Sequence, residues 1–365
     1  MGQPKKVVAK NVLETDVSIG GVNLTQKALF AKNLSVMLKA GIIINEALEI
    51  IKDSATGKLR KVISGILKSV ESGQSFSNAL GQYPKIFSGI FKSAVFVGES
   101  SGTLYENLEN ISVQLDKERE MRSKVMSALL YPVVVLIAAF FLGLVIAFVV
   151  LPKIIPLFQG LKVSLPLSTR VLIWLSVVVE EYGIFIFVFA VLFIVLLVWI
   201  SRQKFSRPAT HWLLLKMPLI GKIIRDVNLT RFCRTLGMLL QSGLNIDEAV
   251  KVTGESLDNY YYRRSIQHIY ESIGTGTTMA ENLTIYKELY PVMVVRMIMV
   301  GERSGKLEET LFYLASFYEK EVDSETKSLS ASIEPILLII IGLVVGFLAL
   351  SIITPIYSIT SGMKN

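Results

Sequence analysis

Residues 97–152 read VGESSGTLYENLENISVQLDKEREMRSKVMSALLYPVVVLIAAFFLGLVIAFVVLP, and the physics of this stretch changes halfway along. Leu104, Leu108, Ile111 and Leu115 recur at steps of four and three, which puts them on one face of a helix. From Val125 to Pro152 there is no charged residue. An apolar run longer than the roughly 20 residues needed to cross a bilayer reads as a transmembrane helix. An amphipathic soluble helix is therefore expected to lead directly into the membrane.

The arrangement occurs twice. Adding 203 turns Val97, Gly98, Glu99, Ser101, Gly102 and Leu104 into Val300, Gly301, Glu302, Ser304, Gly305 and Leu307. The same shift carries Pro132 to Pro335, Pro152 to Pro355, Ala139 to Gly342 and Gly143 to Gly346. One register held over so many positions is an internal duplication. Upstream, Phe232, Leu236, Leu239, Leu240, Gly243 and Ile246 echo Phe30, Leu34, Met37, Leu38, Gly41 and Ile44 at a shift of 202. One residue is thus inserted in the second copy before Gly276, the partner of Gly73.

Hydrophobic residues make up 52% of the chain, but they are clustered, so soluble domains plus spans are expected. The net charge of +8 suggests nucleic acid until the charges are placed. Of the Lys and Arg residues, 17 fall in residues 1–130 and 17 in 201–333, with only Lys153, Lys162 and Arg170 between the first two spans. That bias puts both large polar regions on the cytoplasmic side. The sharpest cluster follows the middle span: Arg202, Lys204, Arg207, Lys216, Lys222 and Arg225 precede the first acid, Asp226. It reads as a membrane flank, and no nucleic-acid partner is expected. Cys233 is the only cysteine, which excludes an intramolecular disulfide and fits a reducing compartment. Neither a cleavable signal peptide nor a myristoylation signal is expected.

The expected fold is all-α: two homologous cytoplasmic helical bundles of about six helices each, plus three transmembrane helices. The divisions are a flexible arm at 1–24, a first bundle at 25–130, a span at 131–152 and an extracytoplasmic loop at 153–182. A second span at 183–201, a second bundle at 202–333, a third span at 334–357 and a short tail at 358–365 complete the chain. The return span is required by the duplication, because two cytoplasmic bundles that each end in an outgoing helix need one crossing back. Val171 to Val179 is either part of a longer tilted span or a separate helix at the outer interface. Glu180 and Glu181 favour the second, since carboxylates are expensive in lipid. In each bundle a helix is expected to stop at glycine, at Gly41 and again at Gly243.

The paired turns 98–102 and 301–305 are the most specific local signal. Gly301 to Lys306 superficially suggests a phosphate loop, but that motif needs four residues between its glycines and Ser or Thr after Lys; here there are three, and Leu307 follows. The turns read as helix punctuation with a possible partner contact. In the spans, Ala139, Gly143 and Ala147 in the first and Gly342 and Gly346 in the third sit at small-xxx-small spacing, a face for close helix packing either within one chain or between chains. Glu334, immediately before Pro335, replaces Tyr131 of the first copy and reads either as a specific polar contact with a partner or as an interface anchor. His211 and His268 have no ligand or nucleophile at working distance in sequence, so no metal, no cofactor and no enzymatic role are expected.

LSVMLKAGIIINEAL at 34–48, LGMLLQSGLNIDEAV at 236–250, the two VGE-x-SG-x-L turns and the Glu-Pro before the last span resemble the type II secretion F domain, present twice over about residues 25–360. The resemblance implies a non-enzymatic platform in the bacterial inner membrane, at the base of a type IV pilus or type II secretion machine. Its implied partners are a cytoplasmic hexameric ATPase, pilin or pseudopilin subunits, other inner-membrane assembly proteins, the bilayer itself and further copies of the chain. The short N-terminal arm departs from many relatives. The alternative is a small multi-pass transporter or channel, which the scarcity of polar residues deep in the spans disfavours.

Overall fold

A computed structural model describes residues 21–145, 167–203, 205–218 and 220–362. Most of the arm expected at 1–24, the Pro-rich piece at 152–166 and the end of the tail lie outside the described residues. Every long element is a helix. The first copy contains α1 (Leu24–Lys39), α2 (Ile44–Ser54), α3 (Gly57–Glu71), α4 (Phe76–Gly81), α5 (Gly89–Ser101) and α6 (Leu104–Val145). After it come α7 (Leu167–Arg202) and α8 (Arg207–Lys216). The second copy contains α9 (Ile220–Gln241), α10 (Ile246–Ser256), α11 (Tyr260–Ile273), α12 (Met279–Leu283), α13 (Val292–Ser304) and α14 (Leu307–Gly362).

Local chemistry sets these boundaries. Asn23 accepts from the Gln26 N–H at 2.8 Å while Gln26 accepts from the Asn23 N–H at 3.1 Å, so the first turn of α1 is capped reciprocally. The one-residue insertion falls between helices: Ala55 and Thr56 join α2 to α3, whereas Leu257, Asp258 and Asn259 join α10 to α11. α7 is one helix through Glu180 and Glu181, joining Val171–Val179 to the apolar run after it. No proline interrupts it, and a lone Gly183 weakens a helix without ending it.

The chain divides into two compact units. The first comprises residues 21–120, 230–258 and 262–315, and so holds the helical bundles of both copies. In the first copy Phe30, Phe87 and Phe91 form an aromatic cluster, with ring centroids 5.5 Å apart for Phe30 and Phe87 and 4.9 Å for Phe87 and Phe91. In the second copy Phe232 and Tyr290 take the positions of Phe30 and Phe87, and Tyr262, at the position of Leu59, completes the cluster. There the buried hydroxyls are satisfied: Tyr262 donates to the Leu289 carbonyl at 2.8 Å and Tyr290 shares a 2.7 Å bond with Ser265.

The two copies meet within this unit along an antiparallel helix pair. Asn107 Nδ2 donates to the Ser242 carbonyl at 3.4 Å, Gln114 Nε2 to Thr235 Oγ1 at 3.3 Å, and Arg231 Nη2 to Glu118 Oε1 at 3.2 Å. Steps of seven and four on α6 meet steps of seven and four on α9 and the residue that follows it, as two straight helices running in opposite directions require. Arg231 also reaches Asp258 Oδ2 at 2.6 Å.

The second unit comprises residues 121–229, 259–261 and 316–362 as described. Among the described residues two helices are long and apolar enough to cross a membrane, over Leu104–Gly143 and Leu307–Phe347. The most apolar described stretch of α7, Glu181–Phe193, is shorter. Pro132 and Pro335 both lie inside continuous helix.

Candidate functional site

The paired turns are built from three roles, each repeated. Gly102 and Gly305 follow α5 and α13 with φ of 78° and 69°, a conformation in which a Cβ would meet the carbonyl of the same backbone. Gly98 and Gly301 serve a different need. A Cβ at Gly98 would lie 2.8 Å from Leu104 Cα and 3.1 Å from Asn107 Nδ2; at Gly301 it would lie 2.9 Å from Thr310 Oγ1 and 3.1 Å from Leu307 Cα. These glycines let the helices on either side of the turn close on each other.

Glu99 and Glu302 reach back across the bundle to the start of a short helix. Glu99 accepts from the N–H groups of Phe76 and Ser77 at 2.5 and 2.8 Å, and Ser75 Oγ accepts from Asn78 N–H at 3.3 Å. Glu302 accepts from Met279 and Ala280 at 2.8 and 3.0 Å, and Thr278 Oγ1 accepts from Glu281 N–H at 3.2 Å. In both copies the first three orphan N–H groups of a helix too short to stand alone are satisfied by a carboxylate and a hydroxyl. The two glutamates thus fasten α4 to α5 and α12 to α13.

Gly41 and Gly243 close α1 and α9, with φ of 84° and 91°. Among the described residues, no atom outside the glycine's own stretch of helix lies within 4 Å of a Cβ position at Gly143, Gly342 or Gly346.

Glu334 and Tyr131, the residues that occupy the same register in the two copies, line one groove of about 580 Å³ in the second unit. Two further repeated pairs line it, Lys124 with Lys327 and Ala128 with Ala331. Asp323 sits between the lysines, 2.8 Å from Lys327 Nζ and 3.5 Å from Lys124 Nζ. The hydrogen bond from Lys327 holds the Asp323 carboxyl below its usual range, with Lys124 adding to it. One rim of the groove is charged on both walls, and the other, where both helices turn apolar, carries a phenol and a carboxylate.

Lys222, read from the sequence as part of a membrane flank, is paired on the same unit with acids of α14. Lys222 pairs with Glu325 at 2.5 Å and with Glu321 at 3.8 Å. Asp226, one turn further along α9 and 4% exposed, has its carboxyl pushed up to about 6. Burial is the main cause; Glu321 and Glu325 add to it, while Lys222 and Arg225 oppose it. The folded protein therefore holds this proton more tightly than the unfolded chain, where an aspartate titrates near 3.9. Its contribution to stability is full below about pH 4 and is lost as pH rises through about 6. Asp226→Asn is expected to raise stability by about 1–2 kcal/mol at pH 7.5 and by about a third as much at pH 4.5. Thermal unfolding of the detergent-solubilised protein at the two pH values checks this; equal effects at both would contradict it.

Cys233 is fully buried, and burial pushes its thiol above the ordinary range, with Arg234 opposing. Among the described residues no group of three His, Cys, Asp or Glu side chains is placed to hold a metal.

Among the described residues these features define a class: a duplicated all-helical protein whose bundles end in helices long and apolar enough to cross a bilayer. A profile of the family described as type II secretion system (T2SS), protein F, matches residues 30–152 and again 232–355. The chain belongs to that family. It is 31% identical to the type IV pilus assembly protein PilC of Myxococcus xanthus, over 99% of this chain and 87% of that one. It is 32% identical to PilC of Thermus thermophilus, over 93% and 84%, and 30% identical to the type II secretion system protein F of Aeromonas hydrophila, over 93% and 88%.

Proposed function

We propose that this chain is the inner-membrane platform of a type IV pilus or type II secretion machine, coupling a cytoplasmic hexameric ATPase to the movement of pilin or pseudopilin subunits into a filament. In this reading the membrane is crossed three times, by the apolar parts of α6, α7 and α14. Both bundles, of about six helices each, face the cytoplasm with their lysines and arginines. The protein does no chemistry of its own. The observation that carries the reading is the repetition, in both copies, of a bundle helix that continues unbroken into an apolar stretch, α6 and α14. The names of the relatives, pilus assembly and secretion proteins, support it. Such a helix is a stiff connection, able to carry a displacement of the bundle to the lipid-facing groups beyond it.

The test is co-purification of the solubilised full chain with the cell's candidate hexameric ATPase, with and without nucleotide. Nucleotide-sensitive binding that maps to residues 25–130 or 202–330 is expected. Absence of binding in every nucleotide state, together with solute flux in liposomes, would instead make the chain a transporter.

A further inference from the structure

The corner after α7 is tightly made. Gln203 N–H donates to the Ile200 carbonyl at 2.9 Å, and Ser206 donates through its N–H to Gln203 O at 3.2 Å and through its hydroxyl to the carbonyls of Ile200 and Gln203. α8 then starts at Arg207, with Pro208 in its first turn, where a missing N–H costs nothing. Ten residues long, α8 has no buried residue.

Its two sides differ. Pro208, His211 and Leu215, at steps of three and four, share one side. That side is held to the start of α11: His211 Nδ1 accepts from the Tyr260 N–H at 2.9 Å, and the Tyr261 hydroxyl donates to the Pro208 carbonyl at 3.2 Å. Ala209, Trp212, Leu213 and Lys216 share the adjacent side. Trp212 and Leu213 are about half exposed, and Phe205, in the corner, is 96% exposed. Lys216 Nζ lies 4.6 Å from the centre of the Trp212 ring.

A fixed helix that turns Trp and Leu outward, beside a fully exposed Phe, is unfavourable in water. Arg207 and Lys216 lie on α8 itself, and in the sequence Arg202 and Lys204 precede it, with no acid from 202 to 216. Exposed apolar side chains flanked in sequence by cations, directly after an apolar helix, are what an anionic membrane surface receives. Trp sits at the headgroup level, leucines enter the acyl boundary, and each cation near the surface adds about 1 kcal/mol of attraction. The Lys216 ammonium sits over the Trp212 ring, so cation and indole are held together on this side of the helix.

We propose that α8, together with Phe205, lies in the plane of the cytoplasmic leaflet and is held there by anionic phospholipid headgroups. This rests on the reading of α7 as a membrane crossing with Arg202 at its cytoplasmic end. α8 is then a foot that fixes the height and roll at which the chain leaves the membrane for its second bundle.

The three tryptophans, Trp174, Trp199 and Trp212, allow both readings to be separated in the full chain. The protein is placed in nanodiscs of phosphatidylcholine brominated near the headgroup end of its acyl chains, with and without phosphatidylglycerol. One variant, Trp174→Phe with Trp199→Phe, keeps only Trp212; another, Trp174→Phe with Trp212→Phe, keeps only Trp199. Trp199 emission is expected to be quenched in both lipid mixtures, which checks α7. Trp212 emission is expected to fall about twofold or more when phosphatidylglycerol is present, and less without it or after Arg207→Glu with Lys216→Glu. Quenched Trp199 beside an unquenched Trp212 that iodide reaches would overturn the foot while leaving the crossing intact, and would leave that face to water or to a protein. If Trp199 is unquenched, the crossing fails and the foot fails with it.

Discussion

Replacing Glu302 by alanine is expected to destabilise the protein by about 2–3 kcal/mol, because two N–H groups at the start of α12 lose a charge-assisted acceptor at once. Thermal unfolding of the solubilised protein should shift down by about 5–10 °C for a change of this size. Glu99→Ala should behave alike, since its carboxylate meets Phe76 and Ser77 with the same geometry. Glutamine at either position keeps one acceptor oxygen and turns an amide N–H toward the other donor, so roughly half the loss is expected. The two sites share no partner, and the double alanine variant should lose the sum of the single losses to within about 0.5 kcal/mol. An unchanged midpoint in both single variants would show that these carboxylates do not hold the short helices in place.

The second large effect concerns α6 and α14 as connections. Inserting Gly-Pro after Ser123, or after Lys327, interrupts a helix that otherwise runs from bundle to apolar stretch. Proline in a helix interior removes one hydrogen bond and clashes with the preceding turn, at a cost of about 3 kcal/mol, and the added residues rotate everything beyond them. Membrane insertion depends on the apolar run and should persist. Filament assembly should fall to below about a tenth of normal if the helix must transmit displacement as a rigid rod. Pro132 and Pro335 make a useful contrast, as they sit inside the same helices and both remain continuous. Normal filament numbers in an insertion variant that is present in the membrane would remove the rod from the mechanism.

Much of this architecture is written locally. The glycine stops were legible because a left-handed residue just past a helix has one cheap solution, and Gly41, Gly102, Gly243 and Gly305 all adopt it. The duplication was legible because a register without gaps needs no knowledge of the fold. The insertion was legible only as lying in or near a loop before Gly276, and the structure places it between α10 and α11. What Glu99 and Glu302 do was not legible. Their targets lie 22 and 23 residues away in sequence, and only the closed bundle brings the two together. The α6–α9 pairing was hidden for a related reason: Asn107, Gln114 and Glu118 look like ordinary polar positions until a helix of the other copy is laid on them. Their seven-and-four spacing was the available clue, since polar residues sharing one face beside Leu108 and Ile111 mark a face that is covered. The small residues of the spans, Gly143 in α6 and Gly342 and Gly346 in α14, show the opposite case, where spacing was visible and no neighbour among the described residues answers it.

That helix pair also gives the molecule a direction. The face that α9 buries through Arg231, Thr235, Met238 and Ser242 has its equivalents on α1 at Leu29, Asn33, Val36 and Ala40, and all four of these are exposed. The copies therefore join tail to head, like couplings on a carriage, rather than as mirror partners across a two-fold axis. Exchanging them along the gene would place Leu29 where Glu118 now finds Arg231 and Asn33 where Gln114 finds Thr235, so the order of the halves is itself encoded information.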